Sequence, residues 1–280
     1  MSTTPIWFVT GASQGLGLAL VQHLLSLGYR VAATSRRLGS LEQTLGPASA
    51  DFLPLQVDLA ADHDVRRAVD AAVAHFGGLD VVVNNAGYGI GGSVEELTDA
   101  ETRAAFDVNV FGTINVIRHA LPHLRAAGAG HIINVSSIAA RAGATGWAIY
   151  GATKAAVSVL TEVLAQDVAA FGIRATVVEP GGFRTNFLSA DSLALPQQPL
   201  DAYADVRASH ARYLQLHGQQ GGDPAKAAAA IVQLAQEPNP PVHLLLGQDA
   251  LNRAQTKLDA LQQELNAWRG LSESTGFDAH

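Results

Sequence analysis

The fold turns on residues 6–17, Ile6-Trp7-Phe8-Val9-Thr10-Gly11-Ala12-Ser13-Gln14-Gly15-Leu16-Gly17. A short apolar run enters a glycine-rich turn, and a helical pattern opens inside that turn. Leu16, Leu20, Leu24 and Leu27 fall at helical spacing, and Gly28 follows as a stop. Glycines let the backbone turn tightly and approach a pyrophosphate, whose charge meets the free amides of a helix N-terminus. Gly11, Ser13, Gln14, Gly15, Leu16 and Gly17 are therefore candidate cofactor contacts. The spacing is G-x-x-x-G-x-G rather than G-x-G-x-x-G. Such a turn also serves packing alone, so its meaning depends on the rest of the chain.

Beyond the turn the chain alternates regularly. Apolar, β-branched runs recur at 30–34, 52–57, 79–83, 131–135, 174–178 and 242–246, separated by helical patterns that include 62–76, 99–126 and 147–171. Continuous apolar character, without in–out alternation, fits strands covered on both faces. The expected architecture is α/β, a single doubly wound (Rossmann-like) parallel sheet of about seven strands with helices on both faces, spanning residues 1–280. One stretch, about 187–222, reads as strandless, with Pro196, Pro199, a helix near 202–216 and glycines at its exit. It is longer than a connector needs and is read as a cover over a site. A terminal helix at about 249–269 carries Leu251, Ala254, Leu258, Leu261, Leu265 and Trp268 at three- and four-residue steps. Packing on its own domain is the plainer expectation for it, and a subunit contact the alternative.

Composition narrows the class. Of 280 residues, 48% are hydrophobic and 15% charged, which describes a chain with a substantial core. With no cysteine there are no disulfides, thiolate metal sites or cysteine nucleophiles. The net charge of -7 speaks against a nucleic-acid binder. No run of 18 or more apolar residues suggests a membrane span, and the N-terminus lacks the pattern of a secretory signal. A soluble, cytoplasmic protein is expected. His119 and His123 are four apart on a helical stretch, but Pro122 between them and no carboxylate in sequence nearby point to surface residues, and no metal is expected.

Chemistry-bearing residues follow the strand ends. After the second strand stand Ser35, Arg36 and Arg37 with no carboxylate, and guanidinium groups suit the 2′-phosphate of NADP where an acid would suit the ribose of NAD. Asp58 ends the third strand, where an adenine would lie. Asn84-Asn85-Ala86-Gly87 ends the fourth, its small residues allowing a ribose to approach or its amides merely capping strand ends. Tyr150 and Lys154 share one helix face, and Ser136 and Ser137 end the preceding strand. A free tyrosine has a pKa of about 10; a neighbouring ammonium lowers it toward the working pH, making the phenol a proton donor or acceptor. Together with Pro180-Gly181, these groups all gather at the carboxyl edge of the predicted sheet, where open α/β folds bind ligands.

These motifs, taken in order, resemble the short-chain dehydrogenase/reductase family over about residues 5–190: Thr10-Gly11-x-x-x-Gly15-x-Gly17, Asn84-Asn85-Ala86-Gly87, Tyr150-x-x-x-Lys154 with Ser137 thirteen residues ahead, and Pro180-Gly181-x-x-x-Thr185. The resemblance implies Tyr150 as general acid/base, Lys154 lowering its pKa and binding the nicotinamide ribose, and Ser137 rather than Ser136 orienting the carbonyl. It implies that Asn109 supports a proton-relay water. Asp58 and Leu59 would meet adenine, Asn85, Ala86 and Gly87 the adenosine ribose, and Phe183 and Thr185 the nicotinamide amide. The Ser35-Arg36 pair resembles that of NADP-preferring members, although Gln14 stands where many of these carry a base.

The expected function is hydride transfer between NADP(H) and the carbonyl or secondary-alcohol carbon of a mostly apolar small molecule, with Phe187, Leu188, Leu193, Leu195 and Tyr203 of the cover shaping the pocket. A non-catalytic NADP-binding regulator and a nucleotide-sugar epimerase or dehydratase are the alternatives. A homo-oligomer, a dimer before a tetramer, is expected.

Overall fold

A computed structural model describes residues 4–189 and 192–277, so residues 190 and 191 of the cover segment and the first three and last three residues lie outside it. Seven parallel strands form the central sheet: β1 (Ile6–Val9), β2 (Arg30–Ser35), β3 (Phe52–Gln56), β4 (Val81–Asn84), β6 (Gly130–Val135), β7 (Ile173–Pro180) and β9 (His243–Leu246), in the order β3-β2-β1-β4-β6-β7-β9. Two further short strands, β5 (Gly89–Ile90) and β8 (Leu193–Ala194), pair with each other outside it. The 187–222 stretch is thus not strandless. Leu193 and Ala194 take ladder bonds from the loop after β4, a non-local pairing that two residues cannot signal in sequence.

Nine α-helices surround the sheet among the described residues: α1 (Gly15–Ser26), α2 (Leu38–Leu45), α3 (Asp62–Phe76), α4 (Asp99–Phe106), α5 (Gly112–Ala127), α6 (Ala148–Val168), α7 (Ala204–Gln215), α8 (Pro224–Gln236) and α9 (Gln248–Glu273). The pleat explains the unbroken apolar runs. Ile6 and Phe8 face a core built with α3, α5 and α6, while Trp7 and Val9 face the opposite core built with α1, α2 and α8. Both faces of one strand are therefore buried. The expected 99–126 helix is two helices joined through a π turn at Asp107–Phe111, which carries Asn109.

Two helices stand out. Helix α6, continued to Phe171, is long and apolar enough to cross a membrane by length and composition, although no uninterrupted apolar run announces it. Its inward residues Tyr150, Lys154, Val157, Thr161 and Leu164 are buried, as in a helix laid on a sheet. Helix α9 departs further, because only Ala250 and Ala254 of its residues are buried. It is not packed along its length on its own domain.

Candidate active site

The turn after β1 is built by close backbone approach. Gly11 has φ +65°, and a Cβ there would stand 2.7 Å from the Cα of Ala86; at Gly17 it would stand 2.4 Å from Asn85 Nδ2. Asn85 holds this contact by donating from Nδ2 to the carbonyls of Thr10 and Gly11 at 3.0 and 3.1 Å. Asn84 instead donates to Asn134 inside the sheet at 2.8 Å, so it braces strands. No side chain caps α1 and no acid stands in its first turn, leaving its N-terminal amides for an anion.

A cavity of about 870 Å³ runs along this carboxyl edge of the sheet. Gly11, Ser13, Gln14, Gly15 and Leu16 line its floor, and Ser35, Arg36, Asp58 and Leu59 line one end. Asn85, Ala86 and Gly87 line it after β4, Ser137 lines it after β6 with Tyr150 and Lys154 of α6, and Pro180, Gly181, Phe183 and Thr185 line it after β7. Three expected contacts lie elsewhere. Gly17 is buried against Gly11 and Asn85 beneath the turn. Arg37 occupies the N-cap position of α2, its amide donating to Ser35 Oγ, and its side chain does not reach the cavity. Asn109 sits behind the wall: its Oδ1 accepts from the Tyr88 amide at 3.1 Å, and its Nδ2 donates to Tyr88 O and Thr153 Oγ1.

The two serines after β6 have separate tasks. Ser136 donates inward to the carbonyl of Lys154 at 2.8 Å and lies 2.9 Å from Ser158 Oγ. Ser137 Oγ accepts from the amide of Ala139 at 3.1 Å and lines the cavity together with Tyr150. Burial pushes the Tyr150 pKa up to about 12, against a lowering by Ser137. Burial also brings Lys154 down to about 8. Lys154 Nζ donates to Val135 O at 3.0 Å and lies 5.9 Å from the Tyr150 ring centroid.

The family model for short chain dehydrogenases matches residues 5–194. This chain belongs to the short-chain dehydrogenase family. Oxidoreductase BOA17 of Botryotinia fuckeliana is 36% identical over 96% of this chain and 98% of its own. A short-chain dehydrogenase from Streptomyces avermitilis superposes with a TM-score of 0.90 at 35% identity, covering 99% of this chain and 100% of that one. Two solved structures at 26% identity and TM-score 0.73 hold different cofactors. A 3-ketoacyl-(acyl-carrier-protein) reductase from Brucella melitensis is complexed with NADH, and the match covers 86% of this chain and 96% of that one. ElxO has NADP bound, with 89% and 100% covered.

In this short-chain dehydrogenase several pocket residues carry no sequence signal. Trp147 packs edge-on to Tyr150 at 5.9 Å between ring centroids and to Tyr213 of α7 at 5.0 Å. Arg212, Tyr213 and Leu216 reach the cavity from α7 and its end, and Asp249 and Arg253 reach it from α9. Asp249 accepts from the amide of Gly182 at 2.8 Å, and Arg253 donates to Ala142 O. Of the expected cover residues, Phe187 and Leu188 line the cavity. Leu193 and Leu195 instead crowd the loop at Gly89 and Gly91, and the Tyr203 hydroxyl donates to Glu95 at 2.5 Å. Gln14 donates to Ser192 Oγ at 2.7 Å, tying the glycine turn to this segment. His119 and His123 do have carboxylates beside them, Asp62 at 2.9 Å and Asp70 at 3.6 Å, both on α3 and remote in sequence.

Proposed function

We propose that this enzyme is an NADP(H)-dependent reductase or dehydrogenase of carbonyl or secondary-alcohol substrates. The observation that carries this reading is one cavity lined by Ser137, Tyr150 and Lys154 beside β6 and by Arg36 after β2, with the glycine turn between them. The uncapped α1 terminus and the glycine turn suit a pyrophosphate, and Arg36, with no carboxylate within 4 Å among the described residues, suits a 2′-phosphate. The nicotinamide, when bound, supplies or takes the hydride. Tyr150 gives its proton to the developing alkoxide, while Ser137 donates a hydrogen bond to the same oxygen. Lys154 keeps its charge behind the phenol. The stretch about 187–222 covers the pocket and limits water.

Parallel titration with NADPH and NADH tests the cofactor reading. NADPH is expected to bind more tightly, and Arg36→Ala to weaken NADPH about tenfold while leaving NADH nearly unchanged, the effect of one charge-assisted hydrogen bond at an exposed site. Equal loss for both cofactors would remove the phosphate assignment. The substrate end is walled by Trp147, Phe187, Leu188, Tyr213 and Leu216, with Arg212 beside them. We read this as a site for a mostly apolar ketone or aldehyde whose far end is polar or anionic. Arg212→Ala should raise KM about tenfold for a keto acid and leave an uncharged ketone of the same skeleton unaffected. Equal KM changes for the two would show that Arg212 does not meet the substrate.

A further inference from the structure

The cover is fastened by a carboxylate that no motif points to. Glu96 lies in the loop between β5 and α4, and its side chain has no exposed surface. An ionised group in such a place needs partners, because water does not reach it. Its Oε2 accepts from the amide of Ser93 in the same loop at 2.9 Å. Its Oε1 accepts from the amide of Leu200 at 2.8 Å and from the guanidinium of Arg207, both in the 187–222 stretch. Burial opposes the charge, but the amides of Leu200 and Ser93, with Arg207, hold the Glu96 pKa down to about 2. Arg207 Nη2 also donates to the carbonyls of Tyr203 at 3.1 Å and Leu200 at 3.4 Å, so one ion pair gathers the start of α7. The helix then lies close on two glycines. A Cβ at Gly91 would stand 2.8 Å from His210 Nε2, and one at Gly146 would stand 2.9 Å from Val206 Cγ1. Ser209, Arg212 and Tyr213 of the same helix line the cavity.

We propose that Glu96 is a positioning residue for substrate recognition, its buried pair with Arg207 fixing α7 where Arg212 and Tyr213 form the substrate wall. This rests on reading that end of the cavity as a carbonyl site. Apolar packing alone would hold the helix loosely. Only Val206, Ser209 and His210 of its 12 residues are buried, and apolar contact is non-directional. The Glu96 oxygens, by contrast, accept from donors in set directions. The pair places the wall without carrying the sheet. Among the described residues, neither core on the faces of the sheet contains a side chain from 187–222.

Glu96→Gln in the full chain tests this through hydrogen exchange of the NADPH complex and steady-state reduction of acetophenone, benzaldehyde and benzil. Amides of α7 are expected to exchange about 30-fold faster in the variant, with those of β1, β4 and β6 unchanged. KM for the carbonyl compounds reduced by the wild type should rise about tenfold, with kcat within about twofold and NADPH affinity retained. A residue that only lent stability would lower the thermal transition and leave KM where it was. Arg207→Met removes the charge from the partly exposed side of the pair and should reproduce both effects, which keeps the test readable if Glu96→Gln fails to fold. Unchanged exchange in α7, or faster exchange with an unchanged KM, overturns the proposal. So does exchange that rises across the whole sheet with loss of NADPH binding, because Glu96 would then support the fold in general. A wild type that binds NADPH yet reduces none of the three compounds removes the carbonyl reading, and the substrate role of Glu96 falls with it. Activity on them with KM unchanged in both variants removes the role of Glu96 alone.

Discussion

Tyr150→Phe is expected to lower kcat by about 10³-fold, within the range for removal of a positioned acid–base group, while NADPH affinity stays near wild type. The substitution keeps the ring that packs between Trp147 and Phe187 and removes only the hydroxyl. The companion pH profile has a definite sign. Tyr150 is raised to about 12, so in the reducing direction its proton is available across the neutral range. Oxidation needs the phenolate, and its rate should climb with pH. Lys154, lowered to about 8, loses charge above that pH, and reduction should decline there as the positive charge beside the phenol disappears. Stopped-flow measurement of both directions from about pH 6 to 10, with the cofactor saturating, checks this (a range chosen to bracket the value near 8). Turnover retained by the Phe variant, or oxidation indifferent to pH, would take Tyr150 out of the mechanism.

Glu179→Ala should destabilise the fold by about 3 kcal/mol, read as a lowered urea midpoint at unchanged m. The carboxylate has no exposed surface and sits one residue before Pro180. It accepts from Arg141 Nε at 2.6 Å and from Ser158 at 3.1 Å, and Arg141 Nη2 reaches His243 Nδ1 at 2.5 Å. Removing it leaves a guanidinium that is only one-third exposed without its carboxylate. Because Arg141 keeps some access to water, the cost lies at the lower end for a broken buried pair. It also loosens the strand ends that carry Ser136, Ser137 and Pro180. A midpoint within error of wild type would show that solvent replaces the pair without penalty.

The parallel sheet, its strands and the order of its motifs were legible because both signals are local. Continuous apolar runs follow from burial on both faces, and the spacing of Tyr150 and Lys154 follows from the helix repeat. Gly11, Arg36, Ser137 and Gly181 could be placed at one sheet edge because each follows its own strand closely. Some distinctions were beyond a local reading. Ser136 and Ser137 are chemically alike; the spacing in the family resemblance pointed to Ser137, and the physical reason is the pleat, which turns Ser136 toward Ser158 and the Lys154 carbonyl. Arg36 and Arg37 are likewise adjacent and alike, until the start of α2 takes Arg37 as its N-cap.

Residues from the far end of the chain were wholly hidden. Arg212, Tyr213, Asp249 and Arg253 lie on helices whose patterns say nothing of a pocket, and they arrive there only because β9 docks beside β7 and the 187–222 stretch folds back over β5. The proton affinity of Tyr150 belongs to the same class. The sequence alone determines that a lysine stands one helical turn from the tyrosine. How deeply both are buried, and that the ammonium bonds to Val135 instead of the phenol, depends on elements distant in the chain. Sequence by itself determined the class of fold, the strand ends where chemistry gathers and the repeat on α9, since all three rest on backbone periodicity. Tertiary structure alone decided the pKa values, the substrate wall and the freedom of α9, since each depends on which remote surfaces exclude water.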